Sequence, residues 1–495
     1  MTRRDTTPVL VGLGCRAQRE DDPLRAEDAL GLMIAAARRA GADCGNASLL
    51  AGVGRILVPK GRWRYGDPGR AVAQAIGASR ATTVLATVGV LQQSLIGDCC
   101  SRISAGEIDA ALVVGGEASY RQARAKKAGV AAPLLEALGE PDVVLAPAEE
   151  LLHPAETRAG LTMPVALYAI MESAFRARNG WTPAEHADRL ATLYSRFSAI
   201  AADNPAAWHR NALVPGSIRV ASERNPMPAF PYTRSHCASW TVDQAAALLL
   251  CSVDKAQALG IDRSKWVFPW ASTESNYMEA VCERDRLDAS LGARVAGEAA
   301  LRPVGLDARS IDLIELYSCF PVAVQLHAEE LGLDLSRDLT VTGGMPFAGG
   351  PFNNYVLQST CRMAELLRQG AGKTGLVSSV SGLMTKHGFG LWASESPEGG
   401  FQFDDVSDAV ARASRPRVVL SEYTGPARVA GYTVVYERSQ PVTGVAICNV
   451  EGNRRVVAVT QDRELMETMQ STEQCGENVT IFTGARGLQF MPIQG

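Results

Sequence analysis

A reactive centre needs a side chain that attacks or moves a proton, set where the backbone assists it. The stretch TVGVLQQSLIGDCCSRISAGEIDAALVVGGE, residues 87–117, supplies such a place. Leu91, Leu95, Cys99 and Ile103 recur at helical spacing, which predicts a helix from about Leu91 to Ala105. Gly106 ends it, and Ala110 to Val114 reads as a short buried strand. A tight turn before a helix suits a nucleophile, because the first N–H groups are unpaired and carry the positive end of the helix dipole. The turn here is Thr87-Val88-Gly89-Val90, without cysteine, serine or histidine. Cys99 and Cys100 cannot serve it. They lie about ten residues down the helix, roughly 15 Å from its start at ~1.5 Å per residue. The eleven cysteines form no CxxC pair, so no zinc site and no metal ligand is expected. In a reducing compartment most read as small buried hydrophobes.

The elements that position this turn belong to a long chain. At 495 residues it exceeds one core, so two or three domains are expected. Its 46% hydrophobic and 21% charged content is ordinary for a globular protein. The net charge of −4 speaks against a nucleic-acid partner and gives no sign of a membrane-surface one. No apolar run reaches the length of a spanning helix. The start reads as a first strand over Val9 to Val11, with too short an apolar stretch for a signal peptide, so a cytoplasmic location is expected.

Residues 1–120 alternate strands and helices: Asp22 to Ala40 helical, GRILVP a strand, GRAVAQAIG a helix behind Pro68. Residues 118–240 lose that rhythm and are loop-rich, apart from the amphipathic helix PAEHADRLATLYSRFSAIAADNP. DQAAALLLCS then reads as a helix or helix-like run into a strand. Residues 339–382 echo 84–117 in the order strand, glycine turn, helix (about Asn353 to Arg368), turn, strand. Two such halves face to face would bring both glycine turns to one place. From about Val418 the short β runs YTVVYE, GVAICNV, RRVVAVT and NVTIFTG replace helical periodicity. They predict a small, separately folding barrel of the OB kind. Residues 417–495 hold seven Arg and no Lys against eight acids, a net of −1, so this barrel is not expected to bind oligonucleotides.

Together the two halves, the loop segment, DLIELYSCFP (312–321) and TGGMPFAGGPFNNY (342–355) resemble the thiolase superfamily. Within it they resemble the sterol-carrier-protein-type branch, and most closely the bacterial thiolase-like proteins of type 1 with an extra C-terminal domain. The resemblance implies an α/β thiolase fold of two similar βαβ halves with a loop domain, plus a C-terminal OB-like β-barrel. Residues 1–117 with 241–260 would form the first half, 118–240 the loop domain, 261–415 the second half and 416–495 the barrel. It also implies what a thiolase needs. A cysteine in the first half's turn takes the acyl group, and a histidine in a Gly-His-Pro turn of the second half activates it. A further Cys or His moves the α-proton. By position, Gly89 stands for the nucleophile and Gly350 for the histidine, leaving Gly349-Gly350-Pro351. The family's His-Asp-Cys-Phe stands as Tyr317-Ser318-Cys319-Phe320, and SGLMTKHGFG has no cysteine. Thiolysis and Claisen condensation are therefore not expected.

The remaining catalytic candidates are Tyr317, Cys319 and His387. The backbone N–H groups of Gly349 and Gly350 are candidates to hold a thioester carbonyl. Tyr317 resembles the tyrosine of thiolase-like aldolases that cleave acyl-CoA esters by retro-aldol chemistry. It reads first as a packed tyrosine with a bonded hydroxyl. Lys386 and His387 are candidates to stabilise its phenolate, or to serve the structure. His236 and Tyr232 read as structural, Asn353 and Asn354 as helix N-caps. The implied function is a thiolase-like protein of lipid metabolism that binds CoA or acyl-CoA without thiolase activity, as carrier, scaffold or sensor. No covalent cofactor is expected. The alternative is a retro-aldolase-like acyl-CoA enzyme using Tyr317. No nucleic-acid or membrane partner is expected, and both a monomer and a dimer fit.

Overall fold

The computed structural model describes residues 5–493; the first four and last two residues of the assigned end domains lie outside the described residues. The first sheet contains β1 (Pro8–Ala17), β2 (Arg55–Pro59), β3 (Thr82–Ala86), β4 (Ala110–Ala118), β5 (Val143–Leu145) and β6 (Asp243–Ser252). They lie in the order β1-β6-β4-β2-β3-β5. The second holds β7 (Phe268–Ser275), β8 (Leu313–Glu315), β9 (Thr374–Ser381), β10 (Lys386–Ala393) and β11 (Gln402–Asp405), ordered β11-β7-β10-β9-β8. The runs β1·β6·β4·β2 and β7·β10·β9·β8 share one pattern: two antiparallel pairings, then a parallel one. The helices Gln92–Ser104 and Tyr355–Arg368 pack against each other and against both sheets. Neither of these two helices carries a side-chain cap of its own.

Several local expectations change. DQAAALLLCS is not helical; it is β6, hydrogen-bonded on both edges with all ten residues buried. A strand buried on both faces has no polar alternation, so its Ala-Leu run imitates a core helix. The helix assigned to Asp22 to Ala40 spans Ala29–Asp43, because the Asp28 carboxylate accepts the Gly31 N–H at 2.8 Å and starts it there. The echo lacks its first strand. Residues 339–342 are tied instead by the buried Glu315 carboxylate, which accepts the N–H groups of Val341 (2.7 Å) and Thr342 (3.0 Å). From within 118–240, β5 joins the first sheet beside β3.

The third sheet contains β12 (Val418–Val419), β13 (Gly425–Glu437), β14 (Gln440–Val450), β15 (Arg454–Thr460), β16 (Asn478–Gly484) and β17 (Gly487–Pro492). A pairing of β15 with β17 closes β13 to β17 into a five-stranded barrel. Contrary to the sequence reading, it also carries a helix, Arg463–Ser471, started by Asp462 and burying Leu465, Met466 and Met469. The barrel has an interior of its own, including Val434, Cys448 and Ile481. Its outer face is committed as well, since Val445, Ile447, Val457 and Val459 belong to the main core. Fully buried Arg176 donates to Glu473 (2.7 Å) and to Tyr432 (2.6 Å) of the barrel. Arg455 in turn donates to the carbonyls of Arg284 and Asp285. No helix among the described residues is long and apolar enough to cross a membrane. All eleven cysteines are free, eight of them buried.

Candidate active site

Both glycine turns open on one cavity of about 460 Å³. Val88 and Gly89 come from the first half, and Met345, Gly350 and Phe352 from the second. Tyr317, Cys319 and Phe320, just beyond β8, form another wall, and Pro226, Pro228, Arg234 and Trp240 of the loop segment a third.

Gly89 has φ +103°, and a Cβ there would lie 2.7 Å from Pro147 Cγ. Only glycine takes this backbone without strain, and no side chain fits under Pro147. Gly350 differs. Its φ is outside the left-handed region, and a Cβ would meet Ala238 Cβ and Met345 Cε at 3.3 Å. Its N–H, expected to serve a thioester carbonyl, already donates to the Ser239 carbonyl at 2.8 Å. The loop segment is laced to this turn by further backbone bonds, including His209 N–H to Phe347 O (2.7 Å) and Ser239 N–H to Met345 O (3.1 Å). Gly349, φ +103°, faces away: its missing Cβ would overlap Gln244 Oε1 at 2.1 Å.

Tyr317 and Cys319 both reach the cavity. Burial drives the Tyr317 phenol far above its ordinary range, with Cys319 adding to it. The Cys319 thiol is pushed up to about 12 by burial, offset in part by a hydrogen bond from Tyr168. Both groups are protonated at neutral pH, so Cys319 is no thiolate and Tyr317 is a donor rather than a base. Among the described residues nothing hydrogen-bonds the Tyr317 hydroxyl, while its backbone N–H donates to Ser378 Oγ at 2.8 Å.

His387 is not in this cavity. It is wholly buried on β10, with Nδ1 3.1 Å from His327 Nε2 and Nε2 2.9 Å from Ser290 Oγ. His327 Nδ1 lies 3.1 Å from Ser378 Oγ, so the relay ends on the Tyr317 backbone, not on its hydroxyl. Burial lowers His327 to about 3 and His387 well below its usual value, and both rings are neutral. Lys386 Nζ sits 3.9 Å from Glu149 Oε2. The expected support of a Tyr317 phenolate by Lys386 or His387 is not built.

Asn353 and Asn354 do not cap the second central helix. Gln92 does so across the interface, its Oε1 accepting the Val356 N–H at 2.8 Å and its Nε2 donating to Asn353 Oδ1 at 3.3 Å. Tyr232 donates to the buried Glu172 carboxylate (2.6 Å), which also holds His186 (2.6 Å) and Gln325 (2.7 Å). His236 Nδ1 lies 3.0 Å from Thr233 Oγ1.

Tyr168, Arg234 and Trp240 also line the cavity and carry no motif that marks them as functional. Beside the cavity is a second chamber of about 580 Å³, which shares Arg234, Cys237, Ala238 and Trp240 with it. It adds His209, Asn211, Arg224, Ser235 and Ser239. The available signal lay within PYTRSHCASW, where an exposed Arg234 and Trp240 interrupt residues suited to burial. Phe352 (φ +46°) and Leu383 (φ +59°), both on the cavity wall, hold backbone conformations that cost a non-glycine residue energy and that cluster at functional sites.

A family model described as the thiolase-like protein type 1 additional C-terminal domain matches residues 405–484. The crystal structure of a monomeric SCP2-thiolase like protein type 1 from Mycobacterium smegmatis is similar, with TM-score 0.85 and 26% identity, covering 99% of this chain and 100% of that one. The Ltp2-ChsH2(DUF35) aldolase has TM-score 0.61 and 15% identity over 79% of this chain and 99% of its own, a likeness of fold alone. Among curated proteins, an acetyl-CoA acetyltransferase of Methanocaldococcus jannaschii is 29% identical over 178 residues, 36% of this chain and 42% of that protein. The match therefore spans about two-fifths of that relative's length.

Proposed function

We propose that this chain, a thiolase-superfamily protein of the thiolase-like type 1 kind with its additional C-terminal domain, binds CoA or an acyl-CoA and leaves the thioester unchanged. One observation carries the reading: a single apolar-walled cavity receives both glycine turns, and on it the positions that the resemblance gives to the nucleophile and its histidine are Gly89 and Gly350. Without a nucleophile no acyl-enzyme forms, and covalent catalysis loses its first step. The cavity's size is that of a small-molecule site. The adjoining chamber, with Arg224 and Arg234, offers cations to the phosphates of a CoA ester whose acyl part fills the apolar side. The partly matching acetyltransferase is named for acetyl-CoA, which supports a CoA thioester as the ligand class. A role in lipid metabolism as carrier, scaffold or sensor goes with this reading. To test it, octanoyl-CoA is titrated into the full chain while tryptophan fluorescence is followed, with Trp240→Phe to assign the change to Trp240 among the seven tryptophans. Saturable quenching, weakened about tenfold or more by Arg234→Ala, is the expected result, and a flat titration contradicts it.

A second reading has its own observation, the cavity-facing Tyr317 hydroxyl that no described residue engages. As a proton donor it suits retro-aldol cleavage of a β-hydroxyacyl-CoA, the chemistry for which the aldolase of similar fold is named. Turnover of such an ester, falling by ~10²-fold or more in Tyr317→Phe with binding intact, would establish it. Bound ester recovered uncleaved rejects it.

A further inference from the structure

Behind the wall that carries Leu383 lies a separate polar pocket of about 340 Å³. Arg284 lines it, only 5% exposed. Its guanidinium forms no ion pair among the described residues; it donates to the Leu383 carbonyl and meets Met171 Sδ at 2.9 Å. Glu279 and Glu156 act on its charge only from beyond ion-pair distance, and a buried guanidinium without a carboxylate in contact is costly unless something completes it. The same pocket receives the start of the helix Leu291–Leu301, which no side chain caps. Its N-cap Ser290 spends the hydroxyl on His387 (2.9 Å) and the N–H on Glu330 (2.6 Å). Gly292, on the pocket wall, contributes backbone alone, and a Cβ there would lie 2.8 Å from His387 Cδ2.

The other charges on the lining are largely spoken for. Arg178 and Arg286 both pair with Asp288 (3.1 and 2.7 Å), and Asp285 pairs with Arg417 at 2.8 Å. Arg415 donates only to the nearby carbonyls of Arg412 and Ser414. On the acidic side, Glu279 Oε1 is buried without a hydrogen-bond partner.

We propose that this pocket binds a tetrahedral oxyanion, a phosphate or the phosphate of a small monoester, held by Arg284 and the open start of the helix Leu291–Leu301, with Arg415 at its rim. A planar guanidinium and helix N-terminal N–H groups are complementary to phosphate oxygens. Burial raises the Glu279 carboxyl, offset in part by the Arg284 charge, which lessens its repulsion of an anion beside it. The pocket stands apart from the apolar cavity, so this site does not depend on the acyl-thioester reading.

The test is calorimetric titration of the full chain with inorganic phosphate, and with glycerol phosphate in a second arm. Saturable one-site binding is expected. Arg284→Met, isosteric with its Met171 surroundings, weakens it more than tenfold, and the exposed Arg415→Gln weakens it several-fold. If Arg284→Met does not fold, Arg415→Gln carries the decision. Absence of saturable binding at tens of millimolar phosphate overturns the proposal. So does binding that a folded Arg284→Met, or Arg415→Gln, leaves unchanged while Arg224→Gln weakens it, because the anion then sits in the chamber beside the cavity. Tighter binding of glycerol phosphate than of phosphate assigns the site to a monoester, and equal binding assigns it to free phosphate.

Discussion

Gly89 and Gly350 line one cavity from opposite halves, yet a side chain is excluded from only one of them. At Gly89 the backbone has turned left-handed and Pro147 lies over the missing side chain. At Gly350 the backbone is ordinary and a Cβ meets its neighbours at 3.3 Å, but the N–H is locked to Ser239. The first turn has no room for a side chain, so on the proposed reading it holds no nucleophile. The second admits a Cβ only if Ala238 or Met345 gives by a few tenths of an ångström. A side chain at the first turn therefore requires a new backbone, whereas at the second it requires a small shift of its neighbours.

The largest effect is expected from removing what holds the cover of the second turn. The loop segment that supplies Ala238 and Ser239 is bonded to the barrel through Phe230 N–H to Val434 O (2.9 Å) and Tyr436 N–H to Pro228 O (3.0 Å). A chain ending at Arg415 also exposes the core face met by Val445, Ile447, Val457 and Val459. It is expected to aggregate, and a soluble folded monomer on size exclusion would show instead that the barrel only decorates the core.

Next comes Gly89→Ala, expected to destabilise by about 2–4 kcal/mol in urea unfolding, from left-handed strain plus overpacking on Pro147. Gly89→Cys should cost at least as much and still give no thiolysis, since Gly350 supplies no base. Gly350→Ala is expected to cost about 1 kcal/mol or less, within the range of a small shift of Met345 Cε. Equal costs at the two positions would break the comparison.

A pH-dependent effect concerns the relay behind the second half's wall. His327 and His387 have folded-state values depressed below the ordinary 6.5, so an unfolded chain takes up their protons first. Their contribution is fully present above about pH 6.5 and is lost as pH falls toward the folded value of about 3. Unfolding midpoints of His327→Asn should depend less steeply on pH than the wild type between about pH 6 and 4, by about 1.4 kcal/mol per pH unit for one histidine. Parallel curves would mean that the ring titrates normally in the folded protein.

Much of this architecture was legible from spacing. The first central helix follows from apolar periodicity and the second from the internal echo, and Gly89, Gly350, Tyr317 and Cys319 meet at one cavity as the paired halves imply. What escaped depends on partners distant in sequence. Pro147 over Gly89, the Ser239 carbonyl on Gly350 and Gln92 capping Val356 leave no local trace. The missing strand at 339–342 is hidden because a single buried carboxylate, Glu315, does the work of a ladder. His387 was misplaced because Leu383 and Met384, at φ +59° and +65°, redirect the chain into β10 and carry the ring away from the cavity.

The most direct test of a site that holds a thioester without attacking it is mass spectrometry of the full chain with acetoacetyl-CoA, native and then denatured. The account predicts a non-covalent complex that releases protein of unchanged mass and intact acetoacetyl-CoA on denaturation. Denatured protein carrying an acyl adduct, or no complex at saturating ligand, would contradict it.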